Sequence, residues 1–143
     1  MHLWGRREGM LREAAEEASA GRPGRVHVDT VDIRQFDQVD EGMQAIWAEH
    51  GPLTSVVNNA GANFIARTED LSPRAFHAVT STIMDGSFFT STAAARRWIA
   101  DGLPGTILSN LTTWVWTGSA FVVSAAMAKA AVHSMTMPLS LSR

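Results

Sequence analysis

Hydrophobic residues along the chain follow two periods, one typical of β-strands and one of α-helices. Short apolar or alternating β-branched runs predict strands at residues 1–5, 26–31, 53–57 and 106–111. Apolar residues at helical spacing predict helices at 37–49 and 72–100, and the Ala/Glu-rich stretch 9–20 and the Ala-rich stretch from Ser124 onward predict two more. Strand–helix units repeated in this way are typical of an α/β fold, in which a parallel sheet carries helices on both faces.

Turn and capping residues predict where these helices begin and end. Gly21-Arg22-Pro23-Gly24 should end the first helix, and the segment from Gly102 to Gly105 should end the third. Asp37 can cap the second helix, and Ser72-Pro73 is a typical N-cap and first-turn pair for the third. The apolar faces of the second and third helices comprise Val39, Met43, Ile46, Trp47, Phe76, Val79, Ile83 and Trp98.

Composition indicates an ordinary globular chain. It has 143 residues, of which 45% are hydrophobic and 18% charged, with a net charge of −2. We expect a single domain over 1–143, because the sequence contains no repeats, low-complexity tracts or linkers. The near-neutral charge argues against nucleic-acid binding, which needs a clustered basic surface. The longest apolar run, 120–135, is broken by Lys129 and is too short and mixed to span a membrane.

Several residue types are rare or missing in ways that bear on chemistry. Cysteine is absent, which excludes disulfides and thiolate metal sites and favours an intracellular, cytoplasmic location. Tyrosine is absent too, and eleven of the twelve basic residues are arginine, so Lys129 is the only lysine. No metal site is predicted, because the histidines lack a ligand spacing such as HExxH; they are His2, His27, His50, His77 and His133.

Ligands of open α/β sheets bind beyond the carboxyl ends of the strands, so the residues that follow the predicted strands are candidates for a site. The first two strands are followed by Gly5-Arg6-Arg7 and Asp32-Ile33-Arg34. The third and fourth are followed by Asn58-Asn59-Ala60-Gly61 and Thr112-Thr113. Lys129 lies about one and a half turns into the last helix.

The tetrapeptide Asn58-Asn59-Ala60-Gly61, directly after an apolar strand, resembles the motif that ends the fourth strand of the short-chain dehydrogenase/reductase superfamily. The arginine pair, Asp32-Ile33 and Lys129 stand in the order and register of that superfamily, so the resemblance extends across nearly the whole chain. Within the superfamily, three segments resemble the 2,4-dienoyl-CoA reductases. They are residues 58–65, Leu71-Ser72-Pro73 and Thr117-Gly118-Ser119-Ala120-Phe121-Val122-Val123.

This resemblance implies a fold, a reaction and its ligands. The fold would be a Rossmann-like parallel sheet with helices on both faces. The reaction would be the NADPH-dependent reduction of an unsaturated acyl-CoA in fatty-acid β-oxidation. Members of such families form oligomers, so the resemblance also implies a homo-oligomer.

The resemblance assigns cofactor-binding roles to the residues that follow the strands. Arg6 and Arg7 would hold the 2′-phosphate of NADPH with bidentate hydrogen bonds, although a solvated pair opening a helix is the plain alternative. Asp32 would accept a hydrogen bond from the adenine amino group, or serve only as a turn residue. The backbone of Asn59-Ala60-Gly61 would lie against the cofactor ribose, where small residues permit close approach.

Three residues would take part in catalysis. Lys129 would bind the nicotinamide ribose hydroxyls and lower the pKa of the catalytic acid; the alternative is a lone exposed lysine on an alanine-rich helix. Asn63 would donate a hydrogen bond to the thioester carbonyl and stabilise developing negative charge, or be a loop residue in a turn. Thr112 matches the superfamily serine and could serve as a hydroxyl donor.

The chain departs from the family pattern at the proton donor. The superfamily tyrosine stands four residues before the lysine, on the same helical face. Here Ala125 occupies that position, and Ser124 lies one residue away. The upstream tyrosine of the dienoyl-CoA reductases is matched by Trp114, whose indole N–H donates hydrogen bonds but delivers no proton at neutral pH.

A second departure concerns both ends of the fold. The family's first strand, its glycine-rich turn and its last strands have no counterpart in the sequence, so we expect a partial domain. In the family the missing first strand is central. We therefore expect four parallel strands in the order 2-1-3-4, with the first and third either adjacent or separated by a gap.

Three functions follow as hypotheses. The first is a short-chain reductase that acts on an unsaturated acyl-CoA with NADPH. The second is a catalytically inactive remnant that acts, if at all, by associating with full-length relatives. The third, a short-chain enzyme acting on a hydroxyl or ketone, is less favoured because the tyrosine is absent.

Overall fold

The strands are short and lie where the hydrophobic pattern predicts them. The computed structural model describes residues 1–20 and 25–141, with residues 140 and 141 described by their backbone alone. Over this part of the chain, the four strands are β1 (His2–Gly5), β2 (His27–Thr30), β3 (Ser55–Asn58) and β4 (Thr106–Ser109). The predicted helix stop at Gly21-Arg22-Pro23-Gly24 lies outside the described residues.

The helices also match the predicted segments, with two additions and one interruption. They are α1 (Glu8–Ser19), α2 (Phe36–His50), α3 (Pro73–Thr80), α4 (Gly86–Asp101), α5 (Trp114–Thr117) and α6 (Val123–Leu141). The short helix α5 and a 3₁₀ turn at Thr68–Asp70 were not expected from the sequence. The single helix predicted over 72–100 is divided by a π-helical segment at Ser81–Asp85.

The π-helical segment changes which neighbours this long helix faces. Before it, Val79 packs against α6, and after it Ala93 and Trp98 pack into the core formed with α2 and β3. A π-helical turn contains an extra residue, which rotates the following helix surface about its axis. The periodic apolar pattern alone does not reveal this rotation, because both faces remain apolar.

The two helix caps predicted from sequence have different outcomes. Ser72 is confirmed as the N-cap of α3, since its Oγ accepts a hydrogen bond from the Ala75 N–H at 3.2 Å and Pro73 follows it. The prediction that Asp37 caps α2 is wrong. The N-cap is Gln35, and Asp37 lies inside the first turn, where its carboxylate interacts favourably with the positive end of the helix dipole.

The strands form two separate parallel pairs. β1 pairs with β2 from His2–His27 to Gly5–Thr30, and β3 pairs with β4 from Ser55–Thr106 to Asn58–Ser109. Among the described strands no ladder joins β1 to β3. This confirms the parallel topology and agrees with the arrangement in which a gap separates the first and third strands.

Helices cover the two pairs differently. At Gly42 of α2 an added Cβ would lie 3.0 Å from the Trp4 ring, whereas one at the next strand residue, Gly5, would lie 3.2 Å from Leu11 of α1. Because successive strand residues face opposite sides, α1 and α2 cover opposite faces of β1–β2. On β3–β4, Val57 and Leu108 are 59% and 61% exposed, so that face meets solvent.

Two apolar clusters hold these elements together. The larger lies between the strands, α2 and α4 and contains Val31, Val39, Met43, Val56, Ala93, Ala94 and Trp98. The smaller joins α3 and the π-helical segment to α6 and contains Val79, Ile83, Ala125, Ala128 and Val132. The first cluster therefore positions the strand ends, and the second positions the helix that carries Lys129.

Candidate functional site

A cavity of about 420 Å³ lies beyond the carboxyl ends of β1 and β2. Its polar lining consists mainly of three arginines and one asparagine: Arg6, Arg34, Arg74 and Asn63. The remaining wall is formed by Phe64 and by residues of α3 and its flanks, Ser72, Ala75, Ala78, Val79 and Thr82, with Ala62. Three arginines line one small cavity, although Arg34 is paired with Asp32, and guanidinium groups are suited to binding anionic ligands.

The structure separates the two arginines that follow β1. Arg6 lines the cavity, whereas Arg7 is the N-cap residue of α1 and is not part of the lining. Arg6 and Arg7 are both exposed to solvent. Of the predicted phosphate-binding pair, Arg6 is therefore the one directed to the site.

Asp32 holds one of the cavity arginines. Both of its carboxylate oxygens accept hydrogen bonds from Arg34, with Nε 2.8 Å from Oδ1 and Nη2 2.5 Å from Oδ2. The Arg34 hydrogen bond lowers the pKa of Asp32, and the charge of Arg6 contributes in the same direction. Asp32 was expected to accept a hydrogen bond from an adenine amino group. In this structure its immediate contact is Arg34, which it orients toward the cavity.

Asparagine side chains at the carboxyl ends of β3 and β4 are joined to neighbouring elements and to one another by hydrogen bonds. Asn58 is buried, and its amide donates hydrogen bonds to the Oγ atoms of Ser91 and Ser109 at 2.9 and 3.3 Å. Asn110 donates through its side chain to Asn59 Oδ1 at 2.9 Å. Asn58 thus ties β3 to α4 and β4, while the next three residues, Asn59-Ala60-Gly61, lie exposed at the strand end.

Lys129 reaches the same strand ends from α6. Its side chain is buried, with 9% of the residue exposed, and its Nζ donates a hydrogen bond to the Asn110 carbonyl at 2.5 Å. Burial lowers the pKa of this amine. The alternative of a lone exposed lysine is therefore wrong. Lys129, Asn110 and Asn59 form one hydrogen-bonded group at the carboxyl ends of β3 and β4.

The loop that carries Asn63 is anchored to the segment before α6. The Ala66 N–H donates a hydrogen bond to the Phe121 carbonyl at 3.1 Å. Phe121 has a φ of 64°, a left-handed conformation that is uncommon and strained for a bulky residue. This contact ties the loop between β3 and α3 to the segment before α6, and Asn63 and Phe64 of the same loop line the cavity.

The positions expected to supply a proton lie away from the cavity lining. Ala125 is 4% exposed and belongs to the α3–α6 cluster. The Ser124 Oγ is fully buried and has no hydrogen-bond partner among the described residues. Trp114 is half-buried at the start of α5, and the Thr112 carbonyl accepts a hydrogen bond from the Val115 N–H in the same turn. Thr112 itself is half-buried.

Sequence reasoning missed three features of the molecule. Arg34 and Arg74 both reach the cavity, although only their closeness to Asp32 and to the start of α3 could have suggested it. Three histidines that are far apart in the sequence, His2, His27 and His50, also meet. Separations of 25 and 23 residues match no ligand motif, so only the fold brings them together.

Comparisons of the sequence and the fold with known proteins identify the family of this chain. A family model described as short chain dehydrogenase matches residues 1–142. The chain belongs to the short chain dehydrogenase family. A solved short chain dehydrogenase from Bacillus anthracis has a TM-score of 0.93 and 31% identity, over 98% of this chain and 58% of that one. The family resemblance and the α/β fold class expected from the sequence are thereby confirmed.

Curated relatives of this short chain dehydrogenase include dienoyl-CoA reductases. A Bacillus subtilis protein described as a probable 2,4-dienoyl-CoA reductase that produces (2E)-enoyl-CoA is 35% identical over 96% of this chain and 54% of its own length. A peroxisomal 2,4-dienoyl-CoA reductase of Arabidopsis thaliana is 31% identical over 77% of this chain and 39% of its own length. The chain thus spans about half the length of the curated relatives it matches.

Among the helices described, none combines the length and apolar character needed to cross a bilayer.

Proposed function

We propose that this chain carries cofactor-binding and acyl-CoA-binding residues of an NADPH-dependent short-chain reductase that acts on 2,4-dienoyl-CoA. The observation that carries the proposal is the convergence of Arg6, Arg34 and Arg74 on one cavity beyond the carboxyl ends of the strands. In open α/β sheets this edge is where nucleotide cofactors bind.

The donor set of the cavity fits a phosphate-bearing nucleotide. A guanidinium matches a phosphate with two parallel hydrogen bonds, and Arg34 is already oriented by Asp32. Arg6 would hold the 2′-phosphate that distinguishes NADPH from NADH. Arg34 and Arg74 would add positive charge around it. The cavity therefore favours the phosphorylated cofactor over the unphosphorylated one.

The hydrogen-bonded group of Lys129, Asn110 and Asn59 is suited to the nicotinamide ribose of the cofactor. The buried ammonium donates to the Asn110 carbonyl and has further N–H groups to offer to ribose hydroxyls. The exposed Asn59-Ala60-Gly61 backbone would lie along the same ribose. When bound, NADPH supplies the hydride for the δ-carbon of a 2,4-dienoyl thioester. The Asn63 amide would donate to the thioester carbonyl, where negative charge develops.

The chain lacks the tyrosine hydroxyl at both positions where the resemblance places one, Trp114 and Ala125. Ala125 has none, Trp114 donates only an indole N–H, and Ser124 is directed into the protein interior. Thr112, which matches the superfamily serine, carries a hydroxyl but is a far weaker acid than a tyrosine. Loss of an acid–base group typically slows a reaction by a factor of about 10² to 10⁴. We therefore expect binding of both ligands with little turnover by this chain alone.

The proposal is tested first by binding. Fluorescence titration should give tighter binding of NADPH than of NADH, by roughly tenfold or more if one charge-assisted phosphate pair accounts for the difference. Arg6→Ala should reduce that preference, whereas the adjacent Arg7→Ala should keep it. Equal affinities for the two cofactors, or equal effects of the two substitutions, would contradict the proposal.

The substrate class is tested by turnover. NADPH oxidation should be followed at 340 nm with 2,4-dienoyl-CoA and, for comparison, with a ketone substrate of other short-chain enzymes. We expect a slow dienoyl-CoA-dependent rate that Lys129→Ala abolishes and no ketone-dependent rate. A ketone-dependent rate that exceeds the dienoyl-CoA rate would favour a different substrate class.

A second candidate function is association without catalysis. It is favoured by a row of exposed apolar residues along the π-helical segment and α4, in which Met84, Phe88 and Ile99 are 41%, 49% and 72% exposed. Such a row fits contact with a second chain, either a copy of this one or a full-length relative. Sedimentation velocity of the chain, alone and mixed with a full-length 2,4-dienoyl-CoA reductase, would show whether it binds a second copy of itself or the full-length relative. A monomer in both experiments would exclude this function.

We also propose that the protein acts in the cytoplasm. The lack of cysteine is compatible with a reducing compartment. A relative described as peroxisomal makes that organelle the alternative. Fractionation of cells expressing the chain would separate the two locations.

A further inference from the structure

Three histidines meet at the amino ends of β1 and β2, at the opposite edge of the strands from the arginine cavity. His2 and His27 begin the two strands and are partners in the parallel ladder. His50 is the last residue of α2, which returns from the carboxyl edge of the strands to their amino edge. His2 and His27 are half-buried, and His50 is exposed to solvent.

The rings are close enough to share one ion. Ring centroids are 4.9 Å apart for His2 and His27, 4.8 Å for His2 and His50, and 4.2 Å for His27 and His50. One ring nitrogen from each lies within 4.8 Å of the other two. Ligand nitrogens 2.0–2.1 Å from a tetrahedral zinc ion are about 3.3 Å apart, so small ring rotations would bring all three into contact with one ion.

A carboxylate orients the first of these histidines. The Nδ1 of His2 lies 3.3 Å from Asp29 Oδ2, which also accepts a hydrogen bond from the Trp4 indole at 3.1 Å. If Nδ1 carries the proton and donates it to Asp29, then Nε2 is free to bind a metal. A carboxylate that holds the second nitrogen of a histidine ligand is a usual feature of zinc sites.

We propose that His2, His27 and His50 bind a zinc ion. Neutral imidazole is a good ligand for zinc, and three protein ligands with a water molecule complete a tetrahedral shell. Solvent can supply that water because His50 is exposed. The ion would connect β1, β2 and α2 at the edge away from the cofactor cavity. Its expected role is to stabilise this part of the fold, and it does not depend on the proposed cofactor or substrate.

The test is isothermal titration calorimetry with zinc chloride, using a chain without a polyhistidine tag. We expect saturable binding of one ion per chain, which His50→Ala abolishes. His133→Ala is the matched control, because His133 is also exposed but its ring contacts Trp116 instead. The unfolding midpoint of each variant in EDTA serves as its own reference, because each substitution also removes a ring contact, and zinc should raise the midpoint only where the site is intact.

Two further measurements test the site without removing a histidine ligand. Asp29→Asn should weaken zinc binding by about ten- to a hundredfold, as loss of a carboxylate behind a histidine ligand usually does. Cobalt substituted for zinc should give the intense visible bands of tetrahedral coordination. Absence of saturable zinc binding, equal binding by His50→Ala and the wild-type protein, or a weak octahedral cobalt spectrum would overturn the proposal.

Discussion

At Gly105 the backbone passes directly against the face of the Trp98 ring. An added Cβ would overlap the indole, and the ring is fixed by a 2.6 Å hydrogen bond from its Nε1 to the Leu53 carbonyl. Trp98 is 5% exposed and belongs to the larger apolar cluster, so it has little room to move. The close approach of strand and helix here therefore requires glycine.

We predict that Gly105→Ala lowers the free energy of unfolding by about 1–3 kcal/mol, as overpacking usually does. Gly9→Ala is the matched control. No atom would lie within 4 Å of its new Cβ, and alanine favours the helix by up to about 1 kcal/mol. Urea denaturation of both variants checks the prediction. A Gly105→Ala midpoint equal to or above that of the wild-type protein would contradict the packing described here.

Position 125 tests whether the missing tyrosine could simply be restored. Ala125 is buried in the α3–α6 cluster beside Val79 and Ile83. A tyrosine there would overpack that cluster, so we predict that Ala125→Tyr lowers stability by about 1–3 kcal/mol and does not raise the rate of NADPH oxidation. Urea denaturation and the 340 nm assay measure both effects. A stable variant with a clear gain in dienoyl-CoA reduction would show that this side chain reaches the substrate.

Individual residues of the site were predictable when a local motif carried them. The placement of Asn59-Ala60-Gly61 at a strand end and of Lys129 on the last helix followed from local sequence, whereas their roles toward a cofactor come from the family resemblance and stay predictions. Arg34 and Arg74 could not be predicted, because their meeting with Arg6 depends on how α3 folds back over the strand ends. The histidine cluster was hidden for the same reason, since its members come from three different elements.

Among the elements, α2 and α4 are joined by an ion pair as well as by apolar packing. The Arg97 Nη1 lies 2.7 Å from Asp40 Oδ1, and this hydrogen bond lowers the pKa of Asp40. A carboxyl group whose pKa is lowered by folding stabilises the protein above its unfolded pKa. That contribution is lost as the pH falls through the folded value.

We predict that Asp40→Asn destabilises the protein by at most about 1 kcal/mol near neutral pH, because the carboxylate is 42% exposed and solvent screens the pair. The difference from the wild-type protein should shrink as the pH falls below about 4, where Asp40 becomes protonated in the unfolded state, and it should disappear once the pH has fallen through the lower pKa of the folded state. Thermal unfolding between pH 3 and pH 7 measures this. Glu41→Gln, at a neighbouring exposed acid, is the control. A difference that persists unchanged at pH 3 would exclude the ion pair as its cause.

Element types were predictable because periodicity and caps are local. The strands, the main helices and the Ser72 cap followed from the sequence. The π-helical segment could not be predicted locally, because it depends on tertiary contacts. Before it Val79 packs against α6, and after it Trp98 packs against α2 and β3. Asp37 was misassigned because any acidic residue near a helix start satisfies the same electrostatic preference.

At the scale of the whole molecule, two half-sheets are held together by helices. β1–β2 and β3–β4 share no ladder among the described residues, and the larger cluster bridges them through Val31, Val56 and α2 and α4. The parallel order followed from the alternation of strands and helices, and the gap followed from the family resemblance. Neither the alternation nor the resemblance predicted that one face of β3–β4 is exposed. Alternating strands and helices predict helices on both faces of a sheet, but they do not say which helix covers which strand.

Phosphorus NMR of NADPH observes directly the group that Arg6 is proposed to bind. On titration with the chain, the 2′-phosphate resonance should move toward the position of the dianion, because nearby guanidinium groups favour the charged form. Arg6→Ala should abolish that movement, and Arg7→Ala should preserve it. If the 2′-phosphate resonance stays at its free position, or if both variants reduce its movement equally, the arginine cavity is not the cofactor phosphate site.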